Sequence, residues 1–143
     1  MFATGDNRPL ITTDNERLIF AYIKEQFTLC GCECRRINGT QDHVHVLFHM
    51  NYKMAITDIL KTVKGSTSHW INANELTSEK FSWQKGFSAF SHHHNDLDDV
   101  EWLIANQKMT HFFESYEEEH ARILLSHGLI PESGKLVSRK GEL

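Results

Sequence analysis

The stretch QDHVHVLFHM, residues 41–50, sets Val44, Val46, Phe48 and Met50 in strict alternation with His43, His45, Leu47 and His49. Period two is the signature of a strand, and side chains two apart share a face. The hydrocarbon set can pack under helices, which leaves the imidazoles together on the opposite side. A sheet covered on one face by helices is the simplest layer arrangement that accepts such a segment.

The flanking sequence supplies the rest of that sheet and its helices. MFAT reads as the end of a strand, followed by a turn through Gly5 to Pro9. From Asp14 the spacing becomes helical, with Leu18, Ile19, Tyr22, Ile23 and Phe27 as an apolar stripe and Gly31 as its stop. CECRRING predicts a strand ending at a tight Asn38-Gly39 turn, so that it pairs with the histidine strand as a hairpin across NGTQD. Met54 to Asn74 is helical, burying Ile56, Ile59, Leu60, Val63, Trp70 and Ile71 and leaving Lys61, Lys64, Ser68 and Asn72 on another face. FSWQKGFSAFS predicts two short aromatic strands about Lys85-Gly86. A helix capped by Asn95 or Asp96 runs to about Lys108, with Asp98 and Asp99 in the first turn, where the macrodipole favours acids. A last helix covers roughly Ser115 to His127 before Gly128. The order β-α-β-β-α-β-β-α-α predicts an α+β fold, a central antiparallel sheet with helices packed on it. Residues 1–130 form one domain in this reading, and 131–143 a polar, loosely ordered tail.

Charge is informative only locally. The chain of 143 residues carries a formal net charge of −4. Arg35 to Phe90 holds seven basic against four acidic residues, whereas Ser91 to Glu119 holds one against eight. A basic middle therefore abuts an acidic segment, which keeps a nucleic-acid partner open. Cys30, Cys32 and Cys34 fit neither a disulfide framework nor a paired C-x-x-C zinc site. With no membrane-length apolar run and no signal-peptide pattern in MFATGDNRPL, reduced thiols and a cytoplasmic location are expected.

Same-face neighbours on a strand lie about 6.5–7 Å apart at the backbone, close enough for His43 and His45 to converge on one ion. The competing reading is a pair of half-exposed histidines decorating a polar face. Asp42 is placed either to orient an imidazole or to serve a turn. A hard ion such as Mg²⁺ or Mn²⁺ needs oxygen ligands as well, and Gln107 on the acidic helix is a candidate donor, against a solvent-facing amide. His92-His93-His94 reads as a polar strand end, since consecutive residues point different ways.

Four blocks in order, DHVHVLF, KTVKGSTSHWIN, FSWQKGFSAFS and VEWLIANQ followed by a Glu-rich helix, resemble the single-tyrosine HUH transposases of bacterial insertion sequences and the REP-associated tyrosine transposases. The resemblance runs from FAT to HGLI at 127–130. It implies a compact α+β fold on a central antiparallel sheet, a homodimer, and recognition of hairpin or single-stranded ends of mobile DNA. Family members cleave one strand through a tyrosine, forming a 5′-phosphotyrosine link. His43 and His45 match the HUH pair, and Gln107 matches the third ligand of Mg²⁺ or Mn²⁺. Lys61, Lys64 and Ser68, with Arg35 and Arg36, are the corresponding phosphate-contact candidates, set against an ordinary solvated face.

Two departures stand out. The family's last motif reads V-x-x-Y-I-x-N-Q; here Val100, Ile104, Asn106 and Gln107 keep their places, but Leu103 occupies the tyrosine position. Leucine has no nucleophilic atom, which puts strand cleavage and transposition in doubt. Of the tyrosines, Tyr22 reads as core, Tyr116 as packing, and Tyr52, after the histidine strand, as a weak substitute. Trp102 is only a donor. The expected activity is therefore DNA binding. A working transposase using Tyr52 or a partner's residue, a metal-dependent nuclease with His49 as base, and an inactive relic stand as alternatives. The second departure is a first strand shorter than the family's: either the central strand is truncated, with exposed ladder groups, or the given sequence begins late. Ser88 also replaces a glycine of the family's FSWQ-x-G-Y-G-A-F-S pattern.

Overall fold

The computed structural model describes the backbone of residues 1–132 and 135–138 and the side chains of residues 1–129. The chain divides into two compact units, residues 1–108 and 109–143.

In the first unit, helix α1 (Glu16–Leu29) turns Ile19, Ile23, Gln26 and Phe27 into the interior. Leu18, expected on the same stripe, is 53% exposed; it lies one position from Ile19, about 100° round the helix. The helix ends at Gly31, whose φ of +74° is left-handed. There the amides of Cys32 and Gly31 donate to the carbonyls of Phe27 and Thr28, both at 2.9 Å, closing a Schellman motif.

Strand β2 (Glu33–Gly39) pairs antiparallel with β3 (His43–His49), and β1 (Phe2–Ala3) pairs on the other side of β3, giving the order β1-β3-β2. The histidine strand is thus central. The turn falls one step later than Asn38-Gly39 suggested: Gly39 is paired with Val44, and residues 40–42 make the connection. Glycine is needed at 39 for a different reason, because a Cβ there would lie 2.2 Å from the His43 carbonyl oxygen. A bulge between Cys34 and Arg36 spaces the core-facing Cys34 and Ile37 three apart.

Helix α2 (Ile56–Ala73) buries Ile59, Leu60, Val63, Thr67 and Ile71. It lies beside α1, with Tyr22 and Trp70 stacked at 4.2 Å. Phe2, Ile11, Phe27, Val44 and Phe81 complete the same core. Residues 81–90 do not form two strands. They run irregularly along the free side of β1: Gly5 N donates to Ser82 O (2.7 Å), Gln84 N to Ala3 O (2.8 Å) and Ser88 N to Met1 O (2.9 Å). Trp83 wedges edge-on against Phe2 and Phe81, 4.8 and 4.7 Å between ring centres. The short first strand therefore has its ladder groups covered on both sides, contrary to the exposed stub the sequence suggested.

Helix α3 (Leu97–Ala105) packs on β2 and β3. It is led in by a single 3-10 turn at His94–Asp96. The His92–His94 run is therefore no strand end; His93 Nδ1 accepts from Asn95 N at 3.2 Å and caps that turn. The helix stops at Ala105, and α4 (Gln107–Phe113) begins after Asn106 (φ −102°, ψ 21°), so the single helix expected through Lys108 is two.

In the second unit, α5 (Tyr116–Ser126) starts at a complete capping box between Ser115 and Glu118 and lies beside β4 (Leu129–Glu132). β4 pairs antiparallel with β5 (Lys135–Ser138). Of the stretch read as a polar tail, 131–132 and 135–138 belong to these strands; 133–134 and 139–143 lie outside the described residues.

Candidate metal and nucleic-acid sites

Alternation along β3 sends Val44 into the core and leaves the histidines on the far face, yet that face is not solvent. His43 is 0% exposed and His45 9%, while His49 at the strand's end is exposed. Buried imidazoles are not surface decoration, which removes the bland reading of the pair. Their rings stand 5.1 Å apart at 74°, and a nitrogen of each lies within 4.8 Å of the other. Asp42 Oδ1 meets His43 Nδ1 at 2.8 Å, and the Thr40 hydroxyl lies 2.9 Å from the same nitrogen. Thr40 also donates to Asp42 Oδ1 at 3.0 Å. With Nδ1–H directed at the carboxylate, Nε2 carries the lone pair, the tautomer a metal-ligating histidine uses. Asp42 thus both closes the β2–β3 connection and orients the imidazole.

Gln107 is buried at 3% exposure, at the first position of α4. Its Nε2 donates back to the Leu103 carbonyl at 3.3 Å, so positions 103 and 107 remain adjacent across the helix break. Leu103 itself is 50% exposed. What ties this segment to the histidine strand is Asn38, a residue sequence reading assigned only to a turn. Asn38 sits directly opposite His45 in the ladder, and its Nδ2 donates to the Ala105 carbonyl at 3.1 Å. Lys108 Nζ donates to Asn38 Oδ1 (3.2 Å) and pairs with Glu16 (2.9 Å). Directly opposed residues share a face, so α3 and its end lie over the imidazole side of the sheet.

Three candidate phosphate contacts are engaged within the protein. Arg35 bridges Asp98 and Glu101, each at 3.0 Å. Lys64 Nζ donates to the carbonyls of Gln84 (2.7 Å) and Gly86 (2.5 Å), and burial lowers its pKa. Ser68 Oγ donates to Gly65 O at 3.1 Å. Arg36 and Lys61 are exposed. Tyr52 is 88% exposed in a turn after β3. Lys61, Lys64 and Ser68 share one cleft of about 690 Å³ with Lys80, Trp83 and Lys85; the last three were not singled out in the sequence.

The second unit holds its own buried pair, His111 Nε2 against Glu119 Oε2 at 2.5 Å, with side chains 9% and 3% exposed. No local signal marks it, because the partners are eight residues apart and on different helices.

A family model described as "Transposase IS200 like" matches residues 1–107. The chain belongs to this transposase family. The match ends at Gln107, one residue before the end of the first unit. A solved structure from Deinococcus radiodurans R1, described as a "putative transposase", is similar in fold, with a TM-score of 0.58 and 16% identity over 74% of this chain and 85% of that one. No curated protein matches the sequence. Among the described residues of this IS200-like chain, no helix is long and apolar enough to cross a membrane.

Proposed function

We propose that this protein binds hairpin or single-stranded ends of mobile DNA and holds a divalent ion, Mg²⁺ or Mn²⁺, through His43, His45 and Gln107, but forms no phosphotyrosine link. The observation that carries the reading is the buried imidazole pair with His43 fixed by Asp42. An imidazole whose Nδ1 is held against a carboxylate at the centre of a sheet has its Nε2 left for a ligand, which is how a metal-ligating histidine is oriented. Two nitrogens and an amide oxygen make a donor set fit for Mn²⁺ or, less strongly, Mg²⁺. A bound ion there supplies Lewis-acid polarisation of a phosphate oxygen. Asp42 and Thr40 orient His43, and the back-bond from Gln107 to Leu103 fixes the amide at the helix break.

The seat of the nucleophile is Leu103. Half exposed, it offers hydrocarbon where the family places a phenol, and no atom of it can attack phosphorus. Because the position is not a packed interior, Leu103→Tyr adds a ring without overfilling a core. The protein should retain a labelled hairpin oligonucleotide with salt-sensitive affinity and yield no covalent adduct on denaturing gels with Mn²⁺. Leu103→Tyr should restore the adduct. An adduct in the natural protein that Tyr52→Phe abolishes would overturn the proposal in favour of a working transposase.

A second reading is favoured by the intact Asp42–His43 arrangement: water replaces the phenol, and the protein is a metal-dependent single-strand nuclease. It requires fragments ending in 3′-hydroxyl that disappear in His43→Ala. The homodimer and the cytoplasmic location belong to the same proposal. Support for the first comes from β2, which ends the sheet order and so offers a strand edge for pairing. Support for the second comes from Cys30, Cys32 and Cys34, which are all thiols.

A further inference from the structure

Residues 105–108 carry Gln107 across the break between α3 and α4. With seven residues, α4 is too short to hold its own start without tertiary contacts. The back-bond from Gln107 to Leu103, at 3.3 Å, is long for an amide donor. Both ends of the segment are gripped by one residue of the histidine ladder: Asn38 donates to the Ala105 carbonyl and accepts from the Lys108 ammonium. Lys108 reaches further. An ammonium has three N–H donors, and three oxygens stand around this one: Glu16 Oε2 at 2.9 Å, Asn38 Oδ1 at 3.2 Å and the Gly39 carbonyl at 3.4 Å. The Phe20 ring lies below it, 6.0 Å to the centre. Its anchors are thus the start of α1 and the end of β2. The second is stiff, because Gly39 is paired with Val44 and has no room for a Cβ beside the His43 carbonyl. The same hairpin end holds Thr40, Asp42 and His43 together.

We infer that Lys108 is a positioning residue for the ion site: by tying the start of α4 to the end of β2 and to α1, it holds the Gln107 amide over the imidazole side of the sheet. The inference rests on the ion-site reading above and adds to it a residue that ligates nothing. The Lys108 side chain is 51% exposed and that of Glu16 24%, so the brace lies at the rim rather than in the core. Exposed ion pairs contribute little to stability. What this one contributes is placement. The sign of its effect separates that role from a simple charge effect. A lysine acting only as a nearby cation repels a divalent ion, so its removal tightens binding. A lysine acting as a brace weakens binding when it is removed.

The test is Mn²⁺ titration of the full chain followed by electron paramagnetic resonance, counting only the ion that His43→Ala removes. Lys108→Met keeps the side-chain stem and removes the ammonium; it should weaken that binding about tenfold, as the loss of a supporting contact does. The apo melting temperature should stay at the natural value. Lys108→Arg, which keeps a cation with several donors, should restore the affinity. Unchanged or tighter Mn²⁺ binding in Lys108→Met overturns the brace and leaves the ion site in place. A melting temperature that falls in step with the affinity overturns it as well, since the contact would then serve the fold as a whole. A natural protein with no Mn²⁺ that depends on His43 removes the ion-site reading itself, and the brace with it.

Discussion

At the scale of single residues, burial decides what a side chain is available to do. Lys64 has the spacing of an exposed helix lysine, but two backbone carbonyls occupy its ammonium. Arg35, placed by its neighbours as a phosphate contact, is spent on Asp98 and Glu101. The thiols obey the same rule. Burial, with Cys32 adding to it, pushes Cys30 above the ordinary thiol value, and burial does so for Cys34 against a smaller opposing effect of Lys24. A folded-state pKa above the unfolded one means that the native chain holds these protons longer. Their contribution to stability is therefore complete below pH 9 and is lost as pH rises through the folded values. Urea midpoints measured at pH 8 and pH 10 should fall at the higher pH, and the fall should shrink in Cys30→Ala/Cys34→Ala. A midpoint indifferent to pH in the natural protein would refute this assignment.

At the scale of elements, the important joint is the break between α3 and α4. A continuous helix would carry Gln107 wherever α3 pointed; the break at Asn106 lets it start a new helix, while Asn38 holds the Ala105 carbonyl against the histidine strand. Asn38 is accordingly a positioning residue for the proposed ion site. Asn38→Asp keeps an acceptor for Lys108 and removes the donor to Ala105, so it separates the two bonds. Loss of such a supporting contact typically costs ~10–100-fold in metal affinity. Mn²⁺ titration followed by electron paramagnetic resonance should show a drop of at least about tenfold for Asn38→Asp. The apo melting temperature should move little, since the bond is exposed. Equal Mn²⁺ affinity in variant and natural protein would show that the carbonyl contact has no bearing on the site.

At the scale of the whole molecule, the family match covers the first unit and stops at its end. The sheet order terminates at β2. Sedimentation equilibrium should return a species of twice the 16.6 kDa chain mass, and a monomer at tens of micromolar would remove the dimer from the proposal.

Much of this was legible in the sequence because it depends on near neighbours. Alternation over residues 43–49 sets which side of the strand is hydrocarbon. The stripe through Ile19, Ile23 and Phe27 sets the face of α1, and Gly31 its end. That residue 103 is a leucine, with no nucleophilic atom, needs no coordinates to be seen. Tertiary structure decided the rest. That the imidazoles are buried, that Asn38 grips a carbonyl 67 positions away, and that residues 82–88 cover a two-residue strand all depend on partners far along the chain. Which lysines face a ligand depends on the wall that folds over them. Periodicity reports the face a residue takes on its own element. Only packing determines what that face then meets.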